Sequence, residues 1–185
     1  MSGILLYDAL NESYKPAKEA SLEKYGYHLD PELSNVEEKV FYNPTKSDLL
    51  ITYRGSQNIL NDWLDTNVNL LKGKFQDTDR YKRSKEVYEK AKHKYNKDSV
   101  KLVGHSLGGG LASSIGSDKD TIISYNKAPS NYGSNKKHEK AYRTSGDLVS
   151  LLSKFGKNTI NLSNNNKNIL KSHALENLRN QKIFI

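Results

Sequence analysis

Apolar positions change period repeatedly along this chain. Short β-prone runs alternate with stretches repeating every three to four residues. Residues 4–25 predict one or two short helices broken near Pro16, with Leu22 and Tyr25 on the buried side. Residues 28–31 read as a loop. Lys39-Val40-Phe41-Tyr42 reads as a short strand ended by Asn43-Pro44, and Leu49-Leu50-Ile51-Thr52-Tyr53 as a stronger one. The two would pair around residues 43–47. Ile59, Leu60, Trp63, Leu64, Val68 and Leu71 suggest one or two amphipathic helices, closed by Gly73. The clearest helix spans 79–95, where Tyr81, Ser84, Tyr88, Ala91 and Tyr95 share one face and lysines and glutamates the other. Such a tyrosine stripe reads as core packing.

A strand from Val100 to Val103 then feeds a helix from Leu107 to about Ser117. Strands follow at 121–125, closed by Ala128-Pro129, at 140–143, more weakly, and at 159–162. Polar loops fill 130–139 and 163–168. A short helix at 174–180 and a tail at 183–185 complete the chain. No internal repeat appears. Strands alternating with helices predict an α/β fold, a mainly parallel sheet with helices on both faces. In such sheets the functional site lies at the carboxyl ends of the strands.

With 185 residues the chain is long enough for one domain with a sizeable core, and we expect residues 1–185 to form it. Absence of cysteine excludes a disulfide framework, a Cys-based zinc site and a thiol nucleophile. The apolar run after Met1 is too short for a secretory or membrane-spanning segment. Together these predict a cytoplasmic or otherwise intracellular protein. The net charge of +8 and pI ≈ 9.4 could serve an anionic partner. Lys and Asn are abundant throughout, however, without a compact basic block. The charge therefore reads first as a solvated surface. Peripheral contact with an anionic membrane is the functional reading, and no nucleic acid is expected.

The stretch Val103-Gly104-His105-Ser106-Leu107-Gly108-Gly109-Gly110 carries the chemistry. Glycines two residues either side of Ser106 make the G-x-S-x-G elbow pattern, in which a strained strand-to-helix turn exposes a serine hydroxyl. The following helix starts beside the serine, so the N–H of Leu107 can hold a developing oxyanion. The plain alternative is a glycine-rich turn with an idle serine.

A serine needs a base. In elbow enzymes the acid and then the histidine follow the serine in the chain. His28 and His93 precede Ser106, His105 adjoins it, and His138 sits in a lysine-rich loop, which leaves His173. Of the acids in between, Asp118 and Asp120 end the elbow helix and Glu139 precedes a strand, all at the far end of the sheet. Asp147 follows a strand at its carboxyl end and is favoured, with a turn or helix cap as its other reading. A second oxyanion donor should come from an earlier strand end. Arg54-Gly55-Ser56 offers Ser56 there.

With these residues in view, the chain resembles the class-3, fungal-type lipases of the α/β-hydrolase fold, as a compact member, over roughly residues 49–178. Val103 to Gly109 carries G-H-S-L-G-G in full. Ile51-Thr52-Tyr53-Arg54-Gly55-Ser56 looks like the family's hydrophobic-R-G-[TS] segment, and Asn61-Asp62-Trp63-Leu64-Asp65 like its [ND]-W-x-x-D segment. Ser145-Gly146-Asp147-Leu148-Val149 looks like G-D-x-V. His173-Ala174-Leu175-Glu176-Asn177 resembles the histidine segment, and Ser124 to Pro129 the turn after the elbow helix.

The resemblance implies Ser106 as nucleophile, Asp147 as acid, His173 as base, and Ser56 with Leu107 as oxyanion donors, acting on lipid or small esters through an acyl-enzyme without metal or organic cofactor. Trp63 and His105 are the candidate substrate contacts, though Trp63 also reads as lid or core. The chain departs from secreted members in having neither signal peptide nor disulfides. The steps from serine to acid, 41 positions, and from acid to histidine, 26, are short. So is the segment at 57–65, which predicts a small or absent lid. The competing class is a catalytically silent protein of this fold that binds anionic lipid or nucleic acid.

Overall fold

A computed structural model describes residues 3–56, 77–128, 136–147, 158–163 and 173–185. Its centre is a seven-stranded sheet whose strands lie side by side in chain order. These are β1 (His28–Leu29), β2 (Glu38–Asn43), β3 (Asp48–Tyr53), β4 (Lys101–His105), β5 (Thr121–Tyr125), β6 (Glu139–Thr144) and β7 (Thr159–Leu162). β1, β2 and β3 are antiparallel, with β2 and β3 in register from Asn43–Asp48 to Glu38–Tyr53. From β3 to β7 all neighbours are parallel.

Among the described residues the α-helices are α1 (Leu6–Ser13), α2 (Asp79–Lys94) and α3 (Leu107–Ile115). α2 starts at Thr78, whose side chain accepts the Tyr81 N–H at 3.2 Å. It buries Tyr81, Ser84, Tyr88 and Ala91, the stripe read from the sequence. Tyr95, the last member of that stripe, caps the helix and lies partly exposed against Tyr42. α1 buries Leu6, Ala9 and Leu10 and ends before Pro16.

Side-chain alternation splits the core into two layers. Leu49, Ile51 and Tyr53 of β3 and Leu102 of β4 pack under α2 and α3 with Leu111 and Ile115. Leu50, Val103, Ile123 and Tyr125 face the other way, onto Ile4, Leu6 and Leu10 from the amino-terminal part and Leu178 from the carboxyl-terminal part. Parallel strands that step in one direction through right-handed crossovers place their connecting helices on one face. The second face is therefore covered from both chain ends, by α1 and by the segment around the 3₁₀ turn Leu175–Leu178.

Three expectations change. Residues 28 and 29, read as loop, add an edge strand on β2 through His28–Tyr42 and Leu29–Phe41. Residues 183–185 are not a loose tail. The N–H groups of Leu6 and Ile4 donate to the carbonyls of Ile183 and Ile185 at 2.8 and 3.0 Å, and Leu5 and Phe184 form an antiparallel bridge. Tyr25 is only half-buried, its hydroxyl donating to Asp8 at 2.5 Å. The amphipathic stretch at 58–71 and the loop at 163–168 lie wholly or largely outside the described residues. Among those described, no helix is long and apolar enough to cross a membrane.

Leu102 is fully buried between the sheet and α2–α3, whereas Val36 is 54% exposed. Leu102→Ala should cost about 2–5 kcal/mol of unfolding free energy in a urea titration, and Val36→Ala within about 0.5 kcal/mol of nothing.

Candidate active site

Ser106 sits between the end of β4 and the start of α3 with φ 57° and ψ −121°, a conformation a side chain rarely adopts. Strain of this kind costs about 1–3 kcal/mol. Three backbone bonds hold it. The Ser106 N–H donates to the Tyr125 carbonyl at 3.0 Å, and the Ser106 carbonyl accepts from Gly110 at 3.1 Å and Ala128 at 2.9 Å. At roughly 0.5–1.5 kcal/mol each they offset the strain.

The turn closes only because of its glycines. A methyl on Gly104 would collide with the Gly108 carbonyl, and one on Gly108 with the Tyr53 carbonyl. α3 is thereby drawn down onto the ends of β3 and β4. Leu107 is its first residue, so its N–H has no carbonyl a turn earlier to bond within the helix.

The carboxyl end of β3 runs into Arg54-Gly55-Ser56. Arg80, at the start of α2, donates from Nη2 to the carbonyls of Arg54 at 2.9 Å and Glu37 at 3.1 Å, holding this segment from one side. A methyl on Gly55 would stand 3.1 Å from the Ser106 Cβ. The segment therefore lies against the serine, and Ser56 is the next residue along it.

β5 and β6 end together. The Thr144 N–H donates to Asn126 Oδ1 at 2.7 Å, the Asn126 amide donates to Thr144 Oγ1 at 3.2 Å, and the Tyr125 hydroxyl meets Thr144 Oγ1 at 2.6 Å. Past this clasp the chain turns through Gly146, at φ 84°, and delivers the fully buried Asp147.

The structure brings Ser106, Asp147 and His173 into one line. His173 Nδ1 lies 2.8 Å from Asp147 Oδ1, and Nε2 lies 2.8 Å from Ser106 Oγ. A carboxylate only accepts, so Nδ1 carries the proton and Nε2 presents its lone pair to the serine hydroxyl. The alternatives for the acid lie elsewhere. Asp120 accepts from Tyr88 at 2.7 Å and from the Val100 N–H at 2.8 Å, at the opposite end of the sheet. Asp118 is exposed. Glu139 is buried beneath α3, paired with Lys127 at 2.9 Å.

His105, expected to touch substrate, is instead engaged within the protein. It is 5% exposed, and both ring nitrogens are taken. Nδ1 lies 2.6 Å from the Tyr14 hydroxyl and Nε2 2.9 Å from the His173 carbonyl. It points back along β4 into the second core layer, because its side chain shares the parity of Val103. Trp63 lies outside the described residues, as do Leu148 and Val149. Tyr14, Asn126 and Thr144 were not singled out by sequence reasoning. Asn126 stood within the resemblance at residues 124–129, while nothing local marked Tyr14. Among the described residues no group of three or more His, Asp or Glu side chains is arranged to hold a metal ion.

The sequence matches the Tle-like phospholipase domain, a phospholipase-like family, over residues 7–182. No curated protein matches the chain. Among solved structures, the Lip2 lipase of Yarrowia lipolytica is similar with a TM-score of 0.56 at 12% identity, covering 84% of this chain and 76% of that one. A triacylglycerol lipase described as having a serine protease triad for its catalytic centre gives 0.53 at 14% identity, with 80% and 72% covered. A member of a family of fungal lipases described for a buried polar cluster gives 0.52 at 14% identity, with 79% and 70% covered. At such identities the likeness is one of fold, and it is the α/β-hydrolase-like lipase fold.

Burial first, and the adjacent His173 second, push the His105 pKa down to about 3. Its unfolded value is near 6.5, so unfolding takes up a proton between about pH 3 and 6.5. This contribution to stability is complete above that window and lost as the pH falls through it. Urea titrations at about pH 4.5 and about pH 7 should show a smaller acid-induced loss for His105→Gln than for the unsubstituted protein.

Proposed function

The chain belongs to the Tle-like phospholipase domain family, and from that premise we propose that it hydrolyses carboxylic esters of lipids, acyl esters of phospholipids foremost, through an acyl-enzyme on Ser106. The observation that carries this reading is the unbroken hydrogen-bonded line from Asp147 through His173 to Ser106, with 2.8 Å at both joints.

Each group has one task. His173 Nε2 takes the hydroxyl proton as Ser106 Oγ bonds to the ester carbonyl carbon. Asp147 holds the imidazole in the tautomer that leaves Nε2 basic and stabilises the imidazolium that forms. The N–H groups of Leu107 and Ser56 receive the oxyanion. As the tetrahedral intermediate collapses, the bond to the leaving oxygen breaks and His173 returns its proton there, releasing the alcohol. Water then repeats the sequence with His173 as base. The fatty acid leaves, and the serine regains its proton.

The lipid substrate class rests on the family. The order within it, phospholipid before triacylglycerol or soluble ester, rests on the family and on the net charge of +8. That charge favours a negatively charged interface over a neutral oil surface.

A fluorophosphonate probe should label Ser106 alone, with labelling abolished in Ser106→Ala and located by peptide mass spectrometry. Asp147→Asn should lower kcat by about 10⁴-fold. A protein that neither labels nor hydrolyses would be the silent binding protein instead. On vesicles, release of fatty acid should be faster from anionic than from zwitterionic phospholipid, and the difference should close as salt shortens the screening length from ~10 Å at 0.1 M toward ~3 Å at 1 M. Equal rates at low salt would make the positive charge a solvated surface only.

A further inference from the structure

His105, buried, and Tyr14, half-buried, are polar groups that the reaction above does not use, and they meet at the back of the site. Tyr14 follows the last turn of α1, at the amino-terminal end of the chain. Its hydroxyl accepts the Gly55 N–H at 3.2 Å and lies 2.6 Å from His105 Nδ1. His105 Nε2 lies 2.9 Å from the carbonyl of His173 itself. Four segments far apart in sequence are thus joined by three contacts. One end of the series is the segment of Ser56, and the other is the base.

The direction of the series follows from its ends. The Gly55 N–H can only donate, and the His173 carbonyl can only accept. Hence Nε2 of His105 carries the proton and donates it to the carbonyl. Nδ1 is then bare, and the Tyr14 hydroxyl donates to it while accepting from Gly55. Every donor meets an acceptor in one arrangement. A second proton on His105 would set Nδ1–H against the Tyr14 hydroxyl and strip the latter of its acceptor.

We propose that Tyr14 and His105 are positioning residues forming a strut that fixes the His173 segment and the Gly55–Ser56 segment in one geometry, so that base and oxyanion donor are set by the same linkage. This rests on the function proposed above.

The packing agrees. The His105 ring stacks on Tyr125 at 5.4 Å between centroids and lies 5.1 Å from the ring of His173. The groups facing it are Tyr14, Tyr125, His173 and, electrostatically, Asp147. Burial keeps it neutral. When His173 becomes an imidazolium during turnover, its nearest ring neighbour adds no repelling charge. The strut also gives α1 a part in the site, since α1 delivers Tyr14 and packs against the 3₁₀ turn that follows His173.

Side-chain chemistry allows different joints to be cut. Tyr14→Phe removes the hydroxyl and leaves the Gly55 N–H and His105 Nδ1 unpaired. In His105→Gln the amide nitrogen can stand where Nε2 stood and still donate to the His173 carbonyl, but nothing accepts from Tyr14. In His105→Asn the amide oxygen can stand where Nδ1 stood and accept from Tyr14, but the link to His173 is lost.

Displacements of about 1 Å in such a site cost about 10²-fold. Each single variant should therefore lose roughly 10–100-fold in kcat on a vesicle or short-ester substrate, with KM changing far less, at temperatures well below its unfolding midpoint. Because Tyr14→Phe and His105→Gln cut the same joint, the double variant should lose no more than the worse single one. Nitrogen-15 spectra of the histidines in the intact protein should show His105 neutral with its proton on Nε2. Tyr14→Phe should also shift the ring resonances of His173, which Tyr14 does not touch.

Wild-type kcat in any of the three single variants, multiplicative losses in the double variant, or a proton on His105 Nδ1 would overturn the strut. If the unsubstituted protein neither hydrolyses nor labels, the proposed function fails. The histidine spectra then decide the strut by themselves.

Discussion

The backbone of Ser106 is the constraint on which the site depends. A residue at φ 57° and ψ −121° survives only where its surroundings leave no alternative. Here they are a carbonyl from the end of β5 on one side and two N–H donors on the other, one from α3 and one from the chain beyond β5. Those bonds require β4, β5 and α3 to meet at one point, and the meeting requires bare Cα atoms at Gly104 and Gly108. The elbow thus draws β4, β5 and α3 together. The adjoining strand ends, Tyr53-Arg54 of β3 and Thr144 of β6, are brought within reach by the same contraction.

Several buried polar groups around that point hold chain segments in place. Lys39 is fully buried on β2. Its ammonium donates to the carbonyl of Ser13 at 2.9 Å and of Val36 at 3.1 Å, closing the carboxyl end of α1. Lys127 and Glu139 form an ion pair beneath α3, joining the turn after β5 to the first residue of β6. Such a pair contributes little net stability against an apolar replacement but tolerates the loss of neither partner. Its value here is positional: the hydroxyl of Ser113 on α3 also donates to Glu139, so the elbow helix is tied to the strand that leads to Asp147. The clasp between Asn126 and Thr144 does the same one layer above.

The unequal coverage of the sheet explains why the two ends of the chain matter to the site. With α2 and α3 on one face, the opposite face at β4 and β5 would lie open beside His105 and Tyr125. α1 and the segment from His173 to Ile185 close it together, bound to each other through Ile4–Ile185 and Leu5–Phe184. His173 is therefore carried on a segment that packs on the amino-terminal helix and ends in the paired chain termini.

How much of this was legible depends on how local each signal is. The elbow could be read because its chemistry is confined to neighbouring residues: two glycines, a serine and a helix start at fixed spacing. β2 to β7 and α2 could be read because burial on one or two faces imposes a period on consecutive residues. Asp147 and His173 were legible by chain order and by which strand ends share a side of the sheet. Other features carry no local signal. Lys39 and Lys127 look like surface lysines, and their partners lie 26 and 12 residues away. The Ile183–Ile185 segment looks like a tail until its partner at Ile4 is known. His105 looked like a substrate contact because it neighbours the nucleophile, yet strand alternation turns it inward, and only the arrival of Tyr14 from 91 residues earlier explains what it meets. By itself the sequence singled out Ser106, Asp147 and His173 and the turn that presents the first of them. Their distances, and the linkage that holds them, were decided by tertiary structure, because hydrogen bonds between distant segments leave no periodicity behind.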